Sequence, residues 1–149
     1  MNSKLCASIL FSLLVVDNFD CLVGKKLSRC ELAKDLFFKH KFPKRMIPGL
    51  ICLAEFASNL NTSAISEANN DGYRSHGLFQ ISDGDYCSLD ADVRSECKVE
   101  CEKLRDAKLE DDIRCVRQII HTHGLQYWQQ WVDNCKGRYL MHYMHTCFI

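Results

Sequence analysis

The sequence lacks the features that divide a chain into separate parts. Its 149 residues contain no internal repeat, no low-complexity tract, only two prolines and no linker long enough to separate two domains. A hydrophobic content of 47 % is ordinary for a globular protein with its own core. We therefore expect one compact domain.

Net charge is also absent, because 19 basic residues balance 19 acidic residues. The sequence has no run of basic residues and no basic stretch rich in aromatics, so it lacks the usual signature of a nucleic-acid-binding protein. The same balance removes most of the long-range attraction that brings a strongly basic protein to an anionic surface. We expect no nucleic-acid partner.

Long hydrophobic runs are limited to the N-terminus. Residues 5–16 form an apolar run after a lone Lys4, and the run is shorter than the roughly 20 residues that span a bilayer. Its position and composition are typical of a secretory signal peptide, with a membrane anchor as the alternative. No second apolar stretch approaches the length of a span, so we expect a secreted protein without a membrane span.

The chain has ten cysteines, of which Cys6 lies in the N-terminal apolar run and Cys21 follows that run by five residues. The other eight are Cys30, Cys52, Cys87, Cys97, Cys101, Cys115, Cys135 and Cys147. An even number in a secreted chain of this size predicts four disulfides, although eight cysteines allow 105 pairings and spacing alone does not choose among them. A metal site at Cys97 and Cys101 is the weaker alternative, because a secreted chain would oxidise them.

Capping residues and apolar spacing predict four helices. Ser28 is a suitable N-cap for the first helix, which has apolar residues at Leu32 and Leu36. Pro48 suits the first turn of the second helix. The second, third and fourth helices are predicted at about residues 47–58, 111–122 and 128–134.

Residues 69–82 predict a β-hairpin. Asp71-Gly72 is a strong turn signal, because glycine accepts the positive φ of tight turns and aspartate bonds its own backbone. The run His-Gly-Leu-Phe-Gln-Ile at 76–81 favours a strand and would form the second arm, with Gly77 allowing a close approach of the backbone.

This hairpin, together with the spacing of the eight cysteines, resembles the c-type lysozyme and α-lactalbumin family over residues 25–149. The resemblance implies an α+β fold with a helical lobe, a small antiparallel hairpin lobe and a cleft between them. It also implies a signal peptide at residues 1–24, whose removal leaves a formal charge of +1. The implied disulfide pairs are Cys30–Cys147, Cys52–Cys135, Cys87–Cys101 and Cys97–Cys115.

The two catalytic carboxylates of the family's enzymes have no counterpart at the matching positions. Retaining glycosidases use one protonated and one ionised carboxyl group on either side of the scissile bond. The family's acid lies five residues after the cysteine of the second helix, where this chain has Ala57, and its hairpin carboxylate falls on Ser75. Glu55 lies two residues away on a helix, which points it to nearly the opposite face. Glu67, Asp71 and Asp85 are interpreted as turn or loop residues.

The resemblance also identifies residues at or beside the substrate cleft. They are Asn59, Gln80, Asp85, Tyr86 and Trp128, whereas Trp131 is interpreted as a core residue. Aromatic faces and amide groups suit sugar rings, which present apolar faces rimmed by hydroxyl groups. Asp85 replaces the aromatic residue of many family members, and Ser82 replaces the asparagine that commonly follows Gln-Ile.

Some family members bind calcium in the loop before the third helix. Asp106, Asp111 and Asp112 occupy that register, but Lys108 falls on a fourth aspartate position, and Ca²⁺ needs 6–8 oxygen ligands. We therefore expect no calcium, no other metal and no cofactor. The remaining notable side chains, His121, His123, His142 and His145, are interpreted as scattered surface residues, and Asn61 begins a potential glycosylation sequon.

Three functional classes follow. The preferred one is a secreted, monomeric, lysozyme-like protein that is catalytically inactive or severely impaired and binds N-acetylglucosamine-containing glycans or a protein partner in its cleft. The first alternative is an active lysozyme that hydrolyses the β-1,4 bonds of peptidoglycan. The second is a regulatory subunit like lactalbumin, which would form a stable complex with an enzyme.

Overall fold

The computed structural model describes residues 24–90 and 95–148. The helices are α1 (Arg29–Lys34), α2 (Ile47–Ser58), α3 (Glu110–His123) and α4 (Gln129–Asn134), and the strands are β1 (Ser75–His76) and β2 (Ile81–Ser82). A π-helical turn at Asp35–Lys39 extends α1, and 3₁₀ turns lie at Cys101–Arg105, Leu125–Tyr127 and Met141–Tyr143. Most of the expected signal peptide lies outside the described residues.

The first helix begins where the sequence predicts. The hydroxyl of Ser28 accepts a hydrogen bond from the backbone N–H of Glu31 at 3.2 Å, and Glu31 Oε2 accepts one from the backbone N–H of Ser28 at 2.8 Å. This reciprocal capping box satisfies two backbone donors that the first turn of a helix leaves without partners.

The second helix is the centre of the molecule. Nine of its twelve residues are buried, and it contacts both α1 and α4. A helix that is apolar around most of its circumference must be enclosed by other elements, so the core forms around α2. Pro48 lies in its first turn as expected, and the helix ends at Asn59, whose φ of 53° is left-handed.

The hairpin forms, but its strands differ from the prediction. Asp71 and Gly72 lie in a turn, yet the paired strands are only two residues long, with Ser75 opposite Ser82. Residues 77–80 form the turn between them, whereas the sequence predicts them as part of a strand. The strand preference of this segment is overridden because Gly77 has a φ of 77° and Gln80 a φ of 50°, values that reverse the chain.

Close backbone contacts attach the hairpin to the helices. The buried hydroxyl of Ser58, at the end of α2, donates to the carbonyl oxygen of Leu78 at 2.7 Å. An added Cβ at Gly77 would lie 1.9 Å from the carbonyl oxygen of Leu104, so only glycine fits there. The hairpin is thereby held against both α2 and the 3₁₀ turn that precedes α3.

Four disulfides link the described residues, and their pairing is the one implied by the resemblance. Cys30 bonds Cys147, Cys52 bonds Cys135, Cys87 bonds Cys101, and Cys97 bonds Cys115. The first two join parts of the chain that are far apart in sequence, and each bridge is expected to contribute about 2–4 kcal/mol. Within the described ranges, no helix has the length and apolar character needed to cross a membrane.

Candidate functional site

A groove of about 410 Å³ opens between the loop after β2 and the C-terminal part of α3. We call it the tyrosine groove. It is lined by Asp85, Tyr86, Glu96, Gln118, Thr122, His123 and Tyr127. Its volume falls in the range of sites that bind small molecules or one end of a longer chain.

Three rings form the aromatic part of the tyrosine groove. Tyr86 and Tyr127 meet edge to face, with ring centroids 5.2 Å apart and ring planes at 83°. The His123 ring lies 6.4 Å from Tyr86 and 5.9 Å from Tyr127. Beneath them, the buried Trp128 contacts Tyr127 edge-on at 5.0 Å, which fixes the position of the tyrosine ring.

Polar groups surround these rings. Gln118 and Thr122 lie one turn apart on α3, so both side chains reach the same side of the helix. The Gln118 amide donates to the carbonyl oxygen of Glu96 at 2.9 Å, and the backbone N–H of Glu96 donates to the carbonyl oxygen of Asp85 at 2.9 Å. These bonds tie the loop to the helix and hold the carboxylates of Asp85 and Glu96 at the groove.

The phenols of the groove remain neutral at physiological pH. Burial, with smaller contributions from Tyr86 and Asp85, raises the pKa of Tyr127 to about 12. Burial also raises the pKa of Tyr86, and the nearby carboxylates of Asp85 and Glu96 act in the same direction. Both hydroxyl groups are therefore able to donate a hydrogen bond to a ligand.

The structure brings only some of the predicted cleft residues to this groove. Asp85 and Tyr86 line it. Gln80 instead donates its side-chain amide to the carbonyl oxygens of Gly77 at 2.9 Å and Ala64 at 3.2 Å, so it stabilises the hairpin turn. Asn59 terminates α2 and is exposed, without lining the groove.

The two tryptophans lie at different depths. Trp128, predicted at or beside the cleft, is only 2 % exposed and contacts the groove residue Tyr127. Trp131, predicted in the core, is partly buried and packs against the core, and it also lines a different groove. α4 begins at Gln129, so Trp128 stands between the 3₁₀ turn at Leu125–Tyr127 and the helix.

Ala57 lies in α2 next to Ser58, and Ser75 lies in β1, just before the turn that contains Leu78. The hydrogen bond from Ser58 to Leu78 therefore joins the two parts of the chain that carry Ala57 and Ser75. Ala57 is partly buried in the last turn of α2, and Ser75 is half-buried in β1, where its backbone N–H donates to Ser66 Oγ at 2.9 Å. Neither side chain is ionisable. Glu55 is engaged elsewhere, because both its oxygens accept from the guanidinium of Arg29, at 2.5 and 2.6 Å.

Asp106 lies before α3, and Asp111 and Asp112 lie in its first turn. Asp111 pairs with Arg114 at 2.8 Å, and Asp106 Oδ1 accepts from the backbone N–H of Lys108 at 2.6 Å. Among the described residues, the only cluster of three ligand-type side chains is His76 with Cys87 and Cys101, and those two sulfurs are bonded to each other. The third aspartate, Asp112, keeps both carboxylate oxygens without a hydrogen-bond partner among the described residues, and the absence of calcium stays a prediction.

Sequence reasoning missed five of the seven residues that line the tyrosine groove. These are Glu96, Gln118, Thr122, His123 and Tyr127. The spacing of Gln118 and Thr122 along one side of α3, followed directly by His123, was the available signal. The contribution of Tyr127 depends on the 3₁₀ turn after α3, which local sequence does not reveal.

A helical body, a two-stranded antiparallel sheet, four disulfides and an open groove beside the sheet define a small α+β protein of the lysozyme fold. The chain belongs to the C-type lysozyme/alpha-lactalbumin family, whose model matches residues 25–147. The lysozyme fold of this family is a glycoside hydrolase fold.

Several relatives match most of the chain. The milk isozyme of lysozyme C from Canis lupus familiaris is 32 % identical over 127 residues, covering 83 % of this chain and 98 % of that protein. Lysozyme-like protein 4 from Mus musculus is 35 % identical over 113 residues, covering 74 % and 76 %. A calcium-binding lysozyme from equine milk matches in structure with a TM-score of 0.75 and 32 % identity, covering 84 % of this chain and all of that one.

Proposed function

We propose that the protein is a secreted, monomeric lysozyme-like protein that binds N-acetylglucosamine-containing glycans in the tyrosine groove and hydrolyses them slowly or not at all. The observation that carries the proposal is the combination of an intact groove with Ala57 and Ser75 at the two positions that the family resemblance gives to the catalytic carboxylates. Four disulfides and relatives that include a milk isozyme support secretion after removal of residues 1–24.

The chemistry of the groove supports a sugar ligand. The rings of Tyr127 and His123 contribute aromatic surface to the groove, and the buried Tyr86 packs edge to face against Tyr127. Hydroxyl, amide and carboxylate groups from Thr122, Gln118 and Asp85 surround that surface. A sugar ring has an apolar face rimmed by hydroxyl groups, so one ring stacks on the aromatic surface while its hydroxyls bond the rim.

The loss of hydrolysis follows from the residues at the two carboxylate positions. Alanine has no proton to donate to a leaving oxygen, and a neutral serine stabilises a positively charged sugar far less than a carboxylate does. General acid catalysis alone typically contributes 10²–10⁴-fold. Glu55 does not replace the acid, because its carboxylate is bound by Arg29.

The experiment compares the secreted, oxidised protein with the double variant Ala57→Glu, Ser75→Asp on bacterial cell wall and on chitohexaose. We expect no measurable hydrolysis by the wild type and measurable hydrolysis by the double variant. Circular dichroism and thermal unfolding of both proteins show whether the substitutions preserve the fold. Rapid cleavage by the wild type would overturn the proposal and establish an active lysozyme.

Binding is measured separately from hydrolysis. Calorimetric titration of the wild type with chitotriose tests whether the groove accepts the sugar, and maltotriose serves as the control without N-acetyl groups. We expect heat of binding with chitotriose alone. A protein that neither binds chitotriose nor cuts cell wall would contradict glycan binding and leave a protein partner as the explanation of the groove.

A further inference from the structure

A second groove, of about 500 Å³, lies between the start of α2 and the segment after α4. We call it the Trp131 groove. Its wall includes Arg45, Met46, Trp131, Arg138, Tyr139 and Met141. None of these residues lines the tyrosine groove, so the two concavities are separate.

The indole of Trp131 packs directly on the backbone of α2. An added Cβ at Gly49 would lie 3.6 Å from Trp131 Nε1 and 3.4 Å from a methyl carbon of Leu125. The ring is therefore held in place by its neighbours, and a rigid aromatic surface loses little entropy when a partner covers it. Tyr139 and Met141 are 79 % and 46 % exposed, so apolar surface of the groove faces solvent.

The charged side chains that line the Trp131 groove, Arg45 and Arg138, are both positive. Three other arginines pair with carboxylates: Arg29 with Glu55, Arg105 with Glu102, and Arg114 with Asp111. Arg45 is exposed and has no ion pair among residues 24–90 and 95–148, while Arg138 donates only to the carbonyl oxygen of Asp133 at 3.4 Å. No described aspartate, glutamate or lysine lines this groove.

The positive character continues beyond the groove. An adjoining cavity of about 350 Å³ shares Tyr139 and Met141 with it and adds Lys44 and His145, again without a described carboxylate. The Lys44 ammonium lies 5.1 Å from the centroid of the Phe37 ring. An extended ligand that leaves the Trp131 groove in this direction meets further cationic and apolar groups.

We propose that the Trp131 groove binds an acidic segment of a partner protein. An apolar side chain of the segment packs against Trp131 and the two methionines, and flanking carboxylates pair with Arg45 and Arg138. Tryptophan, tyrosine, methionine and arginine are enriched at the centres of protein interfaces, whereas lysine, glutamate and aspartate are depleted, as they are here. Methionine also adapts its shape to different side chains, and a concave surface suits a protruding segment better than a flat lipid surface.

The test uses a synthetic 12-residue peptide with a Leu-Phe pair between Glu-Asp pairs, and a control peptide with lysine at each acidic position. Protein labelled with ¹³C at methionine methyl groups is titrated while the indole N–H signals are followed. We expect the acidic peptide to shift Met46, Met141 and Trp131. The buried Trp128, outside the groove, is the internal control and should not shift.

Variants test whether the arginines contribute to peptide affinity through their charge, without a change in the fold. Arg45→Ala with Arg138→Ala should weaken the acidic peptide at least tenfold, because two guanidinium–carboxylate pairs are lost. Lys34→Ala, which removes an exposed cation from α1 outside the groove, should leave the affinity unchanged. Circular dichroism of each variant establishes that it is folded.

Three results would overturn the proposal. The first is equal binding of the acidic and lysine peptides, and the second is the absence of shifts at Met46, Met141 and Trp131 at millimolar acidic peptide. The third is binding to phosphatidylserine vesicles without binding to the peptide, which would assign the surface to a membrane. None of these results depends on sugar binding or hydrolysis.

Discussion

His76 and Asp83 form a buried pair that closes the hairpin, with His76 Nε2 3.1 Å from Asp83 Oδ2 and both side chains 5 % exposed. The other carboxylate oxygen of Asp83 accepts from the backbone N–H of Arg74 at 2.8 Å. One aspartate therefore satisfies a backbone donor before β1 and a side chain within β1. The pair lies next to Ser75, so it holds the strand on which the resemblance places the missing hairpin carboxylate.

Replacing Asp83 with alanine should destabilise the protein by about 1–3 kcal/mol, because it leaves a buried imidazole and a backbone N–H without their acceptor. Chemical denaturation gives the free energy of unfolding. Asp90→Ala, at an exposed position in the following loop, is the matched control and should change this free energy by less than about 0.5 kcal/mol. Equal losses in the two variants would show that the His76–Asp83 pair contributes no net stability.

A second prediction compares two glycines that share a positive φ but differ in their surroundings. Gly77 has a φ of 77° and Gly72 a φ of 87°, so alanine is strained at both positions. An added Cβ at Gly77 would lie 1.9 Å from the carbonyl oxygen of Leu104, whereas at Gly72 it would meet nothing within 4 Å.

Gly72→Ala should therefore cost about 1–2 kcal/mol from backbone strain alone. Gly77→Ala should cost clearly more, because the hairpin must also move away from the 3₁₀ turn that contains Leu104. Thermal unfolding of the two variants, measured side by side, gives the difference. A smaller loss at Gly77 than at Gly72 would mean that the hairpin is not held closely against that turn.

These contacts show where sequence reasoning succeeded and where it failed. The capping box at Ser28 and the first turn of α2 at Pro48 were predictable because each depends on a few adjacent residues. The disulfide pairing was implied by the family resemblance and is confirmed. Residues 77–80 were predicted wrongly as strand, because the positive φ values of Gly77 and Gln80 reverse the chain there and the strand preference of Leu78 and Phe79 does not reveal them.

The residues of the tyrosine groove were predictable only in part, because some of them are placed by contacts that local sequence does not reveal. Asp85 and Tyr86 were found because they stand beside a cysteine of the recognised framework. Tyr127 was missed because its position depends on how the 3₁₀ turn between α3 and α4 directs its side chain. Local apolar spacing carries no information about that direction.

The Asp112 carboxyl group provides a prediction about pH. Its side chain is 1 % exposed, and neither oxygen has a hydrogen-bond partner among the described residues. Burial raises the pKa of Asp112 well above 3.8, and the neighbouring acids Asp106, Asp111 and Glu110 raise it further. The folded protein therefore holds this proton more tightly than the unfolded chain does.

Consequently the contribution of Asp112 to stability should fall as the pH rises above about 4, and the fall should stop once the folded-state carboxyl group has ionised. Asp112→Asn removes this titration, so the variant should gain stability relative to the wild type between pH 4 and pH 7. Unfolding free energies at several pH values, with EDTA present, test the sign. A gain that is constant with pH would contradict the raised pKa. In a separate measurement without EDTA, a rise in wild-type stability on adding calcium would contradict the expected absence of a calcium site.

The contribution of Tyr127 to sugar binding is the most direct test of the tyrosine groove. Its ring contacts Tyr86 on one side and Trp128 on another, so it forms the centre of the aromatic surface. Tyr127→Ala should weaken chitotriose binding about 2- to 10-fold, which corresponds to the loss of about 0.5–1.5 kcal/mol of aromatic contact. Tyr127→Phe keeps the ring, so its effect isolates the neutral hydroxyl group.

Tyr139→Ala is the matched control, because it removes a tyrosine that lies outside the tyrosine groove and is 79 % exposed. It should leave chitotriose affinity unchanged, and calorimetry on all three variants gives the comparison. If Tyr127→Ala and Tyr139→Ala weaken the sugar equally, chitotriose is not bound by the aromatic surface of the tyrosine groove. If only Tyr127→Ala does so, a groove without catalytic carboxylates still recognises the glycan, because recognition depends on Tyr86, Tyr127 and their polar rim and not on Ala57 or Ser75.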